Sequence, residues 1–144
     1  MTFLDAYAVL ALLKGEPAAT EVQQLLEILD EYALTALGLA EVLDHLVRLA
    51  GVAEEEAALD VAQLGLAAPE PIDGGLAARA GLLRARHYHR RDRAVSLADC
   101  VLAEAARAPR APVATSDAHL LDMCRDEGID VIPLPDSQGR TLSR

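Results

Sequence analysis

The sequence predicts an α/β fold, a parallel β-sheet with helices packed on both faces, and three observations predict it. Short β-prone runs alternate along the chain with amphipathic stretches of about ten residues or more, the rhythm of βαβ units. The chain is 144 residues long, the size of one domain, and a chain of that length buries roughly two-thirds of its surface. Apolar residues make up 52%, charged residues 25% and aromatics only 3%, so the core is expected to be globular and aliphatic.

Thr2-Phe3-Leu4 is the first strand and runs into Asp5. Val9, Leu12 and Leu13 then follow helical spacing until Gly15 and Pro17 break it. From Thr20 a second helix carries Val22, Leu25, Leu26 and Leu29 as one buried stripe. Ala33 to Leu37 reads as a buried strand. After Gly38 a third helix sets Leu39, Val42, Leu43, Leu46 and Val47 on one side and Glu41, Asp44, His45 and Arg48 on the other, ending at Gly51. Residues 52–66 form an acidic helix, and Ala68 to Gly75 holds at most a short strand around Pro71-Ile72 before a helix through Arg86.

Ser96 opens the next helix, which runs to about Arg107, and Ser96 with Asp99 three residues on is a capping-box pattern. Pro112 to Thr115 is a strand, Ala118 to Glu127 a helix closed by Gly128, and Ile129 to Leu134 the last strand. Pro133 has no N–H to give to a ladder, so that strand belongs at a sheet edge. There is no internal repeat, and from Ser137 the tail is expected to be loose.

In open parallel sheets the functional crevice lies outside the carboxyl ends of the strands. Four acids fall there: Asp5 after the first strand, Glu41 in the first turn of the helix after the second strand, Asp99 in the first turn of its helix, and Asp117 after Val113-Ala114-Thr115. Each alone is explained as a helix cap or as a carboxylate favoured by the helix dipole. Four together, with no basic partner, repel one another. A hard divalent cation such as Mg²⁺ or Mn²⁺, held by oxygen ligands, resolves that repulsion.

The net charge is −10, from 23 acidic and 13 basic residues, which argues against a surface coated with nucleic acid. The average conceals a local reversal. Arg79, Arg84, Arg86, Arg90, Arg91 and Arg93 fall in a stretch whose one acid is Asp92, and Tyr88 sits inside it, as in proteins that stack single strands and grip their backbones. A solvated helix end is the plainer account of the same run. His87 and His89 are two apart and point away from each other on a helix, so they are no metal pair. His119 reads as a surface residue.

The longest apolar run, Ala6 to Leu13, is far short of the roughly 20 residues a spanning helix needs, and no basic residue precedes it as a signal peptide requires. No membrane association is expected. The two cysteines, Cys100 and Cys124, lack the number for a disulfide framework and the spacing for zinc, and read as small core residues in a cytoplasmic protein.

Several segments in order carry a resemblance: Leu4-Asp5-Ala6-Tyr7-Ala8-Val9-Leu10 with Lys14-Gly15-Glu16-Pro17, Leu39-Ala40-Glu41-Val42, Ser96-Leu97-Ala98-Asp99-Cys100, Thr115-Ser116-Asp117, and Gly128-Ile129-Asp130-Val131-Ile132-Pro133-Leu134. The set resembles a PIN-domain protein of the VapC toxin type, over nearly the whole chain. The resemblance implies one domain over residues 1–144, a three-layer α/β/α sandwich with a five-stranded parallel sheet. It implies a Mg²⁺-dependent (or Mn²⁺-dependent) ribonuclease, a homodimer and a VapB-type antitoxin. Asp5, Glu41, Asp99 and Asp117 match the family's four acids. Ala6 departs from the Ser or Thr that many members carry there, and the stretch from Gly51 to Gly75 matches nothing distinctive.

On this reading Asp5, Asp99 and Asp117 hold the metal, the last through water or a second ion, and Glu41 ligates or orients the attacking water. Hydrolysis leaves 3′-hydroxyl and 5′-phosphate ends. Thr115 and Ser116 hydrogen-bond a carboxylate or phosphate, and Arg90, Arg91 and Arg93 meet the RNA backbone. A phosphatase with an aspartyl nucleophile needs a second Asp where Tyr7 stands, and a phospho-acceptor receiver needs a late Lys where the only one is Lys14. The remaining rival is a catalytically idle PIN fold that binds RNA or protein.

Overall fold

The computed structural model describes residues 1–28 and 31–142; Leu29 of the predicted stripe lies outside the described residues. In chain order the elements are β1 (Thr2–Leu4), α1 (Ala6–Lys14), α2 (Ala19–Ile28), β2 (Tyr32–Thr35), α3 (Ala36–Asp44), α4 (Glu54–Ala62), β3 (Ala67–Glu70), α5 (Gly74–His87), α6 (Leu97–Arg107), β4 (Val113–Thr115), α7 (Ala118–Asp126) and β5 (Val131–Pro133). A π-helical turn, His45–Leu49, continues α3. The five strands form one parallel sheet in the order β3-β2-β1-β4-β5.

Side chains alternate across a strand, and here that period divides the core in two. Phe3, Ala33 and Val113 pack beneath α5, α6 and α7 with Leu83, Cys100, Leu120, Met123 and Cys124. Leu4, Leu34 and Ala114, one residue on, face the other way onto α1 to α4 with Val9, Val22, Val42 and Leu46. The three layers of the sandwich follow from that alternation. Both cysteines are fully buried, and burial pushes each thiol up to about 12.

β4 and β5 are shorter than the sequence reading of Pro112 to Thr115 and Ile129 to Leu134, and β2 and β3 differ from it more. β2 ends at Thr35, not Leu37, because the Thr35 hydroxyl accepts the Gly38 N–H at 2.9 Å and starts α3 at Ala36. Gly38 is thereby inside the first turn, where a Cβ would stand 3.3 Å from Thr35 Oγ1. Glu41 consequently lies in the second turn of α3, not the first. The third strand is Ala67–Glu70, ahead of Pro71-Ile72, and pairs with β2 as Ala67 beside Ala33 and Glu70 beside Thr35, across a register shift. The acidic helix is also shorter than residues 52–66, spanning Glu54–Ala62.

β5 lies at an edge, as Pro133 requires. Of the tail from Ser137, residues 143 and 144 lie outside the described residues, and Asp136 closes a turn by accepting the N–H groups of Gln138 and Arg140. No helix among the described residues is long and apolar enough to cross a membrane.

Candidate active site

The strand order reverses between β1 and β4, the two strands that pair Leu4 with Ala114. In a parallel sheet all carboxyl ends share one edge, and at such a reversal the following helices diverge to opposite faces and leave a crevice. Asp5 and Asp117 flank that crevice as the N-caps of α1 and α7. Asp99 enters from α6 and Glu41 from α3. All four line one cleft of about 270 Å³, together with Thr35, Tyr7 and Ser96, and among the described residues no Arg, Lys or His lines it.

Asp5 is buried and held on both oxygens. Oδ1 accepts the Tyr7 N–H at 3.1 Å, and Oδ2 accepts the Thr115 hydroxyl at 2.6 Å. The same Thr115 oxygen accepts the Asp117 N–H at 3.0 Å, so one fully buried hydroxyl positions two of the acids. Asp117 Oδ1 accepts the Leu120 N–H at 2.9 Å. Asp99 closes the predicted capping box: its Oδ2 accepts the Ser96 N–H at 2.9 Å, and its own N–H donates to Ser96 Oγ at 3.0 Å.

Burial raises the proton affinity of three of these acids, and their neighbours add to it. Asp5 is raised chiefly by burial, against the hydrogen bonds from Thr115 and the Tyr7 N–H, with the Asp117 charge adding a little. Glu41 is raised by burial and then by Asp5. Asp99 is raised to about 6, first by burial and then by the charges of Asp5 and Asp117, against the Ser96 N–H. No cationic side chain among the described residues lines the cleft to offset these acids.

Among the described residues no three Asp, Glu, His or Cys side chains stand close enough to enclose a metal ion as a ready-made cage. The donor set nonetheless suits a hard cation of the Mg²⁺ type, which binds through one or two carboxylates and keeps several waters. Asp99 and Asp117 each commit one oxygen to a cap, and a carboxylate has acceptor capacity left for a ligand or its water.

An adjoining cleft shares Asp5, Tyr7 and Asp117 and is walled by Ser116, Glu16 and Asp136. The sequence reading passed over Glu16 and Asp136; nothing in their local pattern separates them from ordinary surface acids. It also passed over Tyr7 as anything but a disqualifying residue, although a ring two positions after a cleft acid is a legible signal.

The arginine-rich run divides into paired and solvent-facing residues. Arg93 donates to Asp126 Oδ2 at 2.7 Å and stands 2.8 Å from His87 Nδ1, whose Nε2 is 2.7 Å from Glu127 Oε2. Arg84 donates to the Val95 carbonyl and covers the Tyr88 ring at 4.3 Å. Arg79 and Arg107 flank the buried Glu104. Arg90 and Arg91 are exposed on a tight turn closed by a two-way backbone bridge between His89 and Arg93, with His89 Nδ1 accepting the Arg91 and Asp92 N–H groups. The turn is tied to α7 where His119 Nδ1 stands 3.2 Å from the Asp92 carbonyl, and it leads directly to Ala94 and Ser96 in the cleft wall.

Comparison with known proteins adds a family to this geometry. The family model described as PIN domain matches residues 2–126. No curated protein matches the sequence. Among solved structures, the fold is similar to FitAB bound to an IR36 DNA fragment, at TM-score 0.69 and 21% identity, over 92% of this chain and 94% of that one. It is similar to VapBC2 from Rickettsia felis bound to a promoter DNA fragment, at TM-score 0.66 and 16% identity, over 91% and 96%. A toxin-antitoxin complex from Klebsiella pneumoniae aligns at TM-score 0.63 and 17% identity, over 81% and 87%. At these identities the structures establish a shared fold.

Proposed function

The chain belongs to the PIN-domain family, and on that premise we propose that it is a Mg²⁺- or Mn²⁺-dependent endoribonuclease, the toxin of a type II toxin–antitoxin pair. The observation that carries the reading is the gathering of Asp5, Glu41, Asp99 and Asp117 in one cleft that, among the described residues, no cationic side chain lines. Asp5, Asp99 and Asp117 are the residues that would hold the cation. When bound, a divalent ion lowers the pKa of a coordinated water and offsets charge developing on phosphodiester oxygens.

The chain's own groups do the remaining work. Thr115 donates to Asp5 Oδ2, which works against the rise that burial causes, and fixes the backbone of Asp117, so the two strand-end acids keep one relative position. Ser96 fixes Asp99 through its backbone N–H, which donates to Oδ2. Glu41, half-buried and raised by burial and by Asp5, is placed to take a proton from an attacking water and orient it. Arg90 and Arg91, exposed on the turn beside the cleft, supply backbone contacts for a single strand, and Ser116 supplies a hydroxyl at the neighbouring wall. Hydrolysis of this kind leaves 3′-hydroxyl and 5′-phosphate ends.

The partners on this reading are a VapB-type antitoxin and a second copy of the chain, and the compartment is the cytoplasm. The purified protein is expected to cleave single-stranded RNA with Mg²⁺ or Mn²⁺ and to be silent in EDTA. Expression alone is expected to arrest growth, and co-expression of the protein from the adjacent reading frame to relieve it. Equal cleavage in chelator refutes the metal mechanism, and inertness with every divalent ion leaves the idle binding module.

A further inference from the structure

We propose that Tyr7 is a substrate-binding residue, a platform on which a nucleobase next to the scissile phosphodiester stacks. The inference rests on the ribonuclease reading and adds the contact by which a single strand is held at so acidic a site.

Tyr7 occupies the first turn of α1, and its N–H is bonded to Asp5, so its backbone is fixed beside that carboxylate. Its neighbours Ala6, Ala8, Val9, Leu10 and Ala11 are all buried, whereas Tyr7 is 61% exposed. In a protein with three tyrosines, one phenylalanine and no tryptophan, a large ring left in water gains little for folding. Its position is more telling than its exposure. Tyr7 lines the four-acid cleft, the adjoining cleft of Ser116 and Asp136, and a third hollow formed with Glu41, His45 and Arg48. It stands where all three meet.

The ring is also held in place. His45, presented by the π-helical turn after α3, meets it edge to face, with centroids 6.5 Å apart and planes at 87°. His45 Nε2 is in turn 3.2 Å from Lys14 Nζ, which puts the chain's one lysine on the same rim. Tyr88, the other exposed tyrosine, already carries the Arg84 guanidinium on its ring.

The electrostatics of the cleft explain what such a ring is for. Four carboxylates repel a phosphate backbone, and among the described residues no cation lines the cleft itself to counter them. Stacking draws a strand in without charge, and every base has a π-face, so the contact tolerates any sequence.

The sequence contains no tryptophan, so Tyr7→Trp introduces a single reporter at the proposed contact. Titrating that variant with a short single-stranded oligoribonucleotide, in Ca²⁺ to slow cleavage, is expected to quench its fluorescence, and a blunt duplex of the same sequence is expected not to. Tyr7→Ala and Tyr7→Leu are expected to weaken binding roughly 5- to 150-fold. They should raise KM with little change in kcat, while Tyr7→Phe behaves as the parent. An unquenched tryptophan on bound RNA, or a Tyr7→Ala enzyme with the parent's KM, overturns the proposal and leaves the ribonuclease reading standing. A Tyr7→Ala protein that keeps RNA but loses a protein partner overturns it too. A parent that neither binds nor cuts RNA removes both readings together.

Discussion

Replacing Asp99 by asparagine separates the two roles its carboxylate combines. The side-chain oxygen that accepts the Ser96 N–H survives in the amide, and asparagine caps a helix about as well as aspartate. The charge is lost. In the parent, burial and the charges of Asp5 and Asp117 raise this carboxyl from 3.8 to about 6. Two pH units at about 1.36 kcal/mol each set a ceiling of about 3 kcal/mol on the cost of ionised Asp99 to the metal-free fold. Partial solvent contact screens the charge, so a gain of about 1–3 kcal/mol is expected for Asp99→Asn above pH 6.

For a chain of this size each kcal/mol moves the melting temperature by about 2–4 °C, so the metal-free variant should melt about 2–12 °C higher at pH 7.5. The sign follows from linkage. The folded parent binds the Asp99 proton more tightly than the unfolded chain, so its stability rises as pH falls from about 6 toward 4. In the variant the Asp99 contribution is absent, leaving Asp5 and Glu41, raised in the same direction, against Asp44, Glu127 and Asp136, which are lowered and act oppositely in parent and variant alike. Adding Mg²⁺ or Mn²⁺ reverses the ranking, because the parent gains binding energy that the variant forfeits. Melting curves from pH 4 to 8, with and without metal, and an RNA cleavage assay on the same preparations test all of this. A variant that melts lower at pH 7.5 without metal, or that cuts RNA at the parent's rate, refutes the reasoning.

Thr115→Val keeps the shape of a fully buried side chain but deletes the hydroxyl that serves Asp5 and Asp117; a loss of about 1–3 kcal/mol is expected, read as a lower urea midpoint at unchanged m, and a midpoint within error of the parent's contradicts it. Arg90→Ala with Arg91→Ala should leave the melting temperature alone and flatten the log–log salt dependence of RNA binding by about 0.7 for each phosphate the variant no longer neutralises; an unchanged slope returns both to plain surface residues. Arg93→Ala should instead lower the melting temperature, because that guanidinium ties the turn to Asp126 and His87.

The alternation of strands and helices, the apolar stripes and the Ser96–Asp99 capping box were legible because each is written within a few neighbouring residues, where periodicity and capping act. Asp5 and Asp117 were legible for a related reason: parallel strands bring every carboxyl end to one edge, so an acid just after a strand is committed to that edge before the strand order is known. Glu41 and Asp99 instead reach the cleft on α3 and α6, whose packing carries them there. Where a boundary depended on a side chain reaching back, local reading slipped. Thr35 capping through Gly38 moved the start of α3 and carried Glu41 from its first turn to its second.

The strand order, with its reversal between β1 and β4, belongs to the tertiary structure alone. So does the Thr115–Asp5 bond, which joins residues 110 apart and exists only because Leu4 and Ala114 stand in register. The fate of each arginine was settled the same way: α5, α6 and α7 bring Glu104, Asp126 and Glu127 to some of them and leave Arg90 and Arg91 on an exposed turn. The sequence by itself determined which faces are apolar and which residues can carry charge, since those are properties of side chains in their local order. Which charges meet, and which are left facing water, only the packing of distant segments decided, because electrostatic and hydrogen-bond energies depend on distances that local propensity does not set.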